Sequence, residues 1–233
     1  MATTTRAANR VAMESEIRRL GREHLRTYGA AGLSLRAVAR DLGVVSSAVY
    51  RYVPSRDDLL TLLLVEAYSD VADSVEQAME AVPPDRHRDR LYAATRALRA
   101  WAVDDPARWA LLYGSPVPGY SAPADQTVEP GTRVVAMLID EVARAEADGV
   151  LQCRQQDLTA GLRSDLATIR DEFGVELSDA ALVVATTLWS TAIGAVSLEV
   201  FGQYGANTFS DPAALFDVAI ERALAPLAEA LRD

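Results

Sequence analysis

The sequence predicts an all-α fold in two parts, a small N-terminal three-helix domain and a larger helical domain behind it. Three observations carry this. Apolar residues recur at three- and four-residue spacings nearly throughout, while period-two alternation of aromatic and β-branched residues is scarce. Ala, Leu, Arg and Glu, all good helix formers, are plentiful. Ser or Asp stands near the start of several apolar runs, and Gly or Pro closes others, as helix ends require. Half of the 233 residues are hydrophobic, enough to fill a small domain and a larger core.

Taken in order, residues 1–10 read as a polar arm and 13–28 as the first helix, ending in the region of Gly29 and Gly32. Ser34 can cap a second helix, whose Leu35, Val38, Ala39 and Leu42 are spaced i, i+3, i+4, i+7 and form one buried face. Arg36, Arg40 and Asp41 fall on the other face. Gly43 supplies the left-handed conformation that ends the helix, and Val44 turns inward. A third helix, about 46–53, buries Val49 and part of Tyr52 and stops at Pro54. Its leading face carries Val45, Ser46, Ser47, Ala48, Tyr50 and Arg51. Ser55 with Asp58 makes a capping box for a fourth helix over 55–82, where Asp57 and Asp58 suit the positive helix end. Further helices are expected at 85–103, 106–113, 131–148, 155–173, 178–204 and 211–231. A Pro/Gly-rich loop at 114–131 lies among them.

Two helices across a Gly-containing turn form a helix-turn-helix, whose second helix enters the major groove of DNA. The residue types suit that task. Ser46, Ser47 and Ala48 let the backbone come close to base edges. Tyr50 and Arg51 reach phosphates or bases, and Arg36 and Arg56 sit where helix starts approach the DNA backbone. An ordinary helix pair within a bundle fits the pattern equally at this point. Charge separates the two. The chain carries a net −10, which opposes a nucleic-acid partner, but the charge is unevenly placed. Residues 1–56 hold ten arginines against Glu14, Glu16, Glu23 and Asp41, a net of +6, and the remainder is −16. The basic part can release counterions from phosphates, and the acidic part is repelled from the duplex. The domains are therefore expected at 1–56 and 57–233.

LSLRAVARDLGVVSSAVYRYVPSRDDLL (33–60) resembles the N-terminal domain of the TetR family of transcriptional regulators. Residues 36–42, Gly43, Val44, Ser47, Ala48, Tyr50, Pro54, Ser55 and Leu59 stand where the family pattern expects them. Val45 replaces the usual Ser or Thr cap, Tyr52 a common His, Val53 a Phe, and Arg56 a Lys. The resemblance implies DNA contacts from Arg36, Val45, Ser46, Ser47, Ala48, Tyr50, Arg51, Tyr52 and Arg56. Farther on, Trp189, Gly194, Leu198, Glu199 and Gly202, with the YGSPVPGY loop (113–120), resemble the ligand-binding domain of the family's Trp-His-Gly subgroup. Ile193 occupies the His position, so no role of that His carries over. This second resemblance implies a small-molecule effector without naming it.

Residues 180–198 contain no charge, a length near that of a membrane span. Five hydroxyls (Thr186, Thr187, Ser190, Thr191, Ser197), acidic neighbours and no basic flank favour a helix buried on all sides instead. A second copy of the chain is the simplest cover for its outer face, and Gly194 allows close approach. A twofold homodimer through 178–204 and 211–231 is expected, placing two recognition helices about one DNA turn apart on a near-palindromic site. No membrane partner is expected.

Candidate pocket residues are the large side chains Trp101, Trp109, Tyr113, Tyr120, Met137 and Trp189, each of which fits a core role equally well. Arg99 and Arg133 offer partners to an acidic ligand, although an exposed helix face is the commoner fate of such residues. His24 and His87 read as solvated helix residues outside any metal-spaced pair. The sequence offers no phosphate loop, nucleophile elbow or Cys-x-x-Cys, so no catalytic residue, metal or cofactor is expected, and no enzyme. A single cysteine, Cys153, forms no internal disulfide and fits a reducing cytoplasm; a redox role is the less favoured reading of it. Arg10 leads into Glu14 and Glu16 without an apolar stretch, so no secretory signal is expected. The expected function is a ligand-responsive transcriptional regulator, most simply a repressor. The alternatives are an all-helical small-molecule-binding protein or enzyme retaining a helix-turn-helix, and a sequence-neutral DNA-packaging protein.

Overall fold

The computed structural model describes residues 2–152 and 157–227, with side chains from residue 8 onward. Cys153 and the expected helical residues 228–231 lie outside the described residues. Among those described, the chain forms ten helices and no strand, apart from one isolated bridge between Leu151 and Leu227. The helices are α1 (Ala2–Tyr28), α2 (Leu35–Asp41), α3 (Ser46–Val49), α4 (Arg56–Glu80), α5 (His87–Asp104), α6 (Pro106–Tyr113), α7 (Ala124–Ala147), α8 (Ala160–Phe173), α9 (Asp179–Val200) and α10 (Pro212–Ala223). The chain divides into two compact units, one of residues 1–70 and 105–131, the other of 71–104 and 132–233.

In the first unit, α1, α2, α3 and the start of α4 enclose Ile17, Leu20, Leu35, Val38, Val49, Val53, Leu59 and Leu63. Leu111, Val117 and Tyr120, from α6 and the segment after it, pack on the same core. Gly21 lets α1 approach α4 closely, since a Cβ there would stand 3.0 Å from Leu63. Charged pairs tie the helices together at the rim: Arg22 to Glu66, Arg26 to the buried Asp105 at 2.7 Å, and Arg108 to Asp70. Asp105 also caps α6 through the backbone N–H of Arg108. Arg26, far away in sequence, is what makes the burial of Asp105 tolerable.

Two element boundaries differ from expectation. The expected arm is helical over residues 2–10, so α1 begins at Ala2. Alanines and the Arg10–Glu14 pair, one turn apart, favour helix there. The loop after α6 ends early, because α7 begins at Ala124. The carbonyl of Pro123 accepts the backbone N–H groups of Gln126 and Thr127 and the Thr127 hydroxyl, which closes the first turn. Pro130 then sits inside α7 at the cost of one helical hydrogen bond.

In the second unit, α5 packs on α9 and α10, and α8 on α9. Leu91, Leu98, Leu182, Leu188, Phe216 and Ile220 are fully or almost fully buried there. Arg99 makes a two-pronged pair with Glu199, and Arg133 pairs with Asp73 and Glu76. Arg99 is thereby withdrawn from an open helix face, whereas Arg133 stays on one, paired with exposed acids.

α9 is long and apolar enough, by length and composition, to cross a membrane. Its burial pattern is one-sided, however. Ala181, Leu182, Ala185, Leu188, Ala192 and Val196 form a buried stripe, while Thr186, Thr187, Ser190, Gly194 and Leu198 are exposed. Among the described residues no element covers the hydroxyl-rich face, so the single chain by itself does not supply the burial on all sides for which a second copy is the expected cover.

Candidate nucleic-acid interface

The helix-turn-helix is built by local chemistry. The Ser34 side chain accepts from the N–H of Ala37 and starts α2. Gly43 takes φ +70° at the turn, and the N–H of Val44 bonds back to Ala39. A Cβ at this φ meets its own backbone. Gly43→Ala is thus expected to lower stability by about 1 kcal/mol, read as a fall in melting temperature with an unchanged helical spectrum.

Regular α3 covers only Ser46–Val49, shorter than the expected 46–53. Beyond it the chain turns, held by bonds from Tyr50 to Ser46 and from Tyr52 and Val53 to Val49. Val45 supplies no side-chain cap and is 71% exposed, so the first N–H groups of α3 lack the side-chain acceptor that a hydroxyl residue would give. Pro54 follows, and the Ser55–Asp58 box opens α4: the Ser55 hydroxyl donates to Asp58 at 2.7 Å and accepts from its N–H at 3.1 Å.

The outward ridge is open. Ser47, Tyr50 and Arg51 are exposed, Ser46, Ala48 and Tyr52 half-buried, and Val49 faces the core. Arg36 projects from α2 into solvent. Neither Arg36 nor Arg51 has a hydrogen bond or ion pair among the described residues, whereas Arg22, Arg26 and Arg108 of the same unit are neutralised by carboxylates. Uncompensated guanidinium groups on an exposed helical ridge are suited to phosphates and base edges.

Arg56 is placed differently. Its guanidinium donates to three backbone carbonyls, Leu33 at 3.1 Å, Ala30 at 3.0 Å and Ala31 at 3.1 Å. It braces the turn after α1 against the start of α4, a role invisible in the sequence because the acceptors are backbone atoms more than twenty residues away.

Both histidines are buried rather than solvated, and sequence reasoning missed both. His24 stands on α1 with Nε2 2.7 Å from Asp41, pinning the end of α2. That bond holds the Asp41 carboxyl below the usual carboxylate range, with Arg40 adding to the effect. His87, in the second unit, lies between Glu141 at 2.7 Å and Asp148 at 2.9 Å. The signal that would have found them is a His with acids elsewhere in the chain, which sequence spacing alone does not pair.

The six candidate pocket residues fall in both units. Trp109, Tyr113 and Tyr120 belong to the first. Trp109 is fully buried 4.4 Å from the Tyr113 ring, and the Tyr120 hydroxyl meets that of Thr61 at 2.9 Å. Burial, with Tyr68 nearby, pushes the Tyr113 phenol well above its ordinary range. Trp101, Met137 and Trp189 belong to the second unit and are half-buried. No cluster of metal-ligating residues occurs among the described residues.

Residues 91–223 match the family described as the Tetracyclin repressor-like C-terminal domain. The chain is 52% identical over 217 residues to the HTH-type transcriptional regulator Rv1816 of Mycobacterium tuberculosis, covering 93% of each. It therefore belongs to the TetR family of transcriptional regulators. A counterpart in Mycobacterium bovis, Mb1846, matches to the same extent. Among solved structures, the regulatory protein SCO4313 is 33% identical with a TM-score of 0.78, covering 94% of this chain and 98% of its own. RolR, solved with resorcinol, shares the fold at 15% identity and a TM-score of 0.54, over 96% of this chain and 98% of its own. These matches establish the TetR family; the Trp-His-Gly subgroup is not named by them.

Proposed function

We propose that this regulator is a cytoplasmic, ligand-responsive repressor that binds a near-palindromic operator as a homodimer. Residues 1–56 would bind DNA, and 57–233 would hold the effector and the dimer contact. The observation that carries the reading is the exposed ridge with uncompensated Arg36 and Arg51. Ser46, Ser47, Ala48, Tyr50 and Arg51 are assigned to the major groove. Val45 and Tyr52 flank them, and Arg36 stands at the phosphate rim, which Arg56 supports by bracing the helix starts through the carbonyls of Ala30, Ala31 and Leu33. A small-molecule effector releases the operator only as far as it favours a second arrangement of the protein. Trp101, Trp109, Tyr113, Tyr120, Met137 and Trp189 remain the proposed effector contacts.

The test is selection of binding sites from a random duplex pool. The expected winners contain two related half-sites about 10–10.5 base pairs apart, centre to centre, or a multiple of that. Winners with one half-site, or no enrichment at all, would contradict the dimeric reading.

The dimer is assigned to the open face of α9, with Thr187, Ser190, Gly194 and Leu198, and to α10, where Val218 is 50% exposed. Gly194 has nothing within 4 Å of an added Cβ, so a side chain there leaves the protomer undisturbed. Gly194→Arg is expected to convert the dimer to a folded monomer in analytical ultracentrifugation. A variant that stays dimeric would move the interface elsewhere.

A further inference from the structure

We propose that Arg10 and Tyr52 form a grip on a backbone phosphate beside the recognition helix, extending the DNA interface onto the N-terminal overhang of α1. The inference rests on the DNA-binding reading above and adds a residue to which that reading gives no role.

α1 reaches well beyond the core that it helps to form. Met13 is its first residue packed against that core, and Ile17 its first fully buried one. Arg10 lies about one turn before Met13, and its side chain is 65% exposed. Its guanidinium carbon stands 5.9 Å from the centroid of the Tyr52 ring. Its Nε donates to Glu14 at 2.9 Å. These two contacts hold the group in place while leaving its terminal nitrogens uncommitted. Among the described residues, neither the Nη atoms of Arg10 nor the Tyr52 hydroxyl has a hydrogen-bond partner.

A guanidinium anchored at Nε and resting on a ring offers its Nη pair as a planar fork, which matches two phosphate oxygens. The Tyr52 hydroxyl adds a third donor. Tyr52 follows Tyr50 and Arg51 directly, so this fork sits next to the ridge assigned to the groove. Glu14 occupies only Nε, and at this exposure it offsets little of the guanidinium charge, so the Nη pair stays open to a phosphate. The position is open surface rather than a closed cavity, and residues 1–56 carry a net +6, so a duplex is the occupant that fits, not a small free anion.

The test uses the full-length protein and fluorescence anisotropy over a salt series. The probes are a duplex selected by the wild type from a random pool and a shuffled version of it. Arg10→Ala should weaken binding to both duplexes by a similar factor, roughly three- to tenfold, and lower the slope of log affinity against log salt by about 1.8, that is about 0.9 for each protomer of the dimer. Arg10→Lys should keep the slope and lose part of the affinity, since it retains the charge without the fork. Tyr52→Phe added to Arg10→Ala should cost less than the product of the two single effects. The grip is overturned if Arg10→Ala leaves affinity and slope unchanged while Arg51→Ala still weakens binding. Weakening confined to the selected duplex would also overturn it, because that marks a base contact. If the wild type selects no duplex, the DNA-binding reading fails first and the grip with it.

Discussion

Arg51→Ala should weaken binding to a selected operator duplex by about 1–3 kcal/mol, roughly 5- to 150-fold, and relax sequence preference at the positions it faces. The size follows from its surroundings. Arg51 is exposed on the outward ridge with no partner among the described residues, so its removal costs the fold little. The full loss falls on the complex, where a guanidinium against a base edge or phosphate makes charge-assisted bonds. Arg36→Ala, at the rim, should weaken selected and shuffled duplexes alike, as a phosphate contact does. Tyr50→Phe should cost less than either, since only the hydroxyl is removed. Anisotropy titrations with all three variants check the assignment. Unchanged affinity for Arg51→Ala and Tyr50→Phe together would reject this face.

The largest loss of stability is expected at Glu141. This side chain is only 1% exposed, and both of its oxygens are engaged. One oxygen meets Nδ1 of His87 at 2.7 Å, and the other accepts from Nε of Arg90 at 2.9 Å. Arg90 also caps the end of α4 by donating to the carbonyls of Met79 and Val82. Glu141→Ala would leave the Arg90 guanidinium, only 12% exposed, without its carboxylate, and His87 with Asp148 alone. Breaking a buried pair from one side costs about 3–5 kcal/mol. Glu141→Gln keeps the shape and part of the hydrogen bonding and should cost less. Urea denaturation followed by circular dichroism measures both. A loss below about 1 kcal/mol for the Ala variant would mean that water or relaxation replaces the carboxylate.

What could be read from the sequence was what neighbouring residues decide. Ser34 with Ala37, Gly43 at its turn, and Ser55 with Asp58 are contacts within a few positions, and the two helices and their turn follow from them. The uncharged run that became α9 was equally plain. Its one-sided burial was not, because that depends on which elements pack against it. The same limit explains the other misses. Arg56 finds carbonyls at 30, 31 and 33, His87 finds Glu141 and Asp148, and Arg26 finds Asp105. No local pattern announces such partners. The grouping of 105–131 with the N-terminal helices is of this kind too: Leu111, Val117 and Tyr120 are apolar anchors whose target cannot be known before the chain is folded. For the candidate interface, the sequence supplied the residue types and the order, and folding supplied their exposure and the absence of partners.

The most direct measurement is the ratio of wild-type affinities for a selected duplex and for its shuffled counterpart at one fixed salt concentration. A regulator that reads DNA through the 46–51 ridge should prefer the selected duplex by about a thousandfold or more. Equal affinities would contradict it, leaving only a basic surface that holds any duplex.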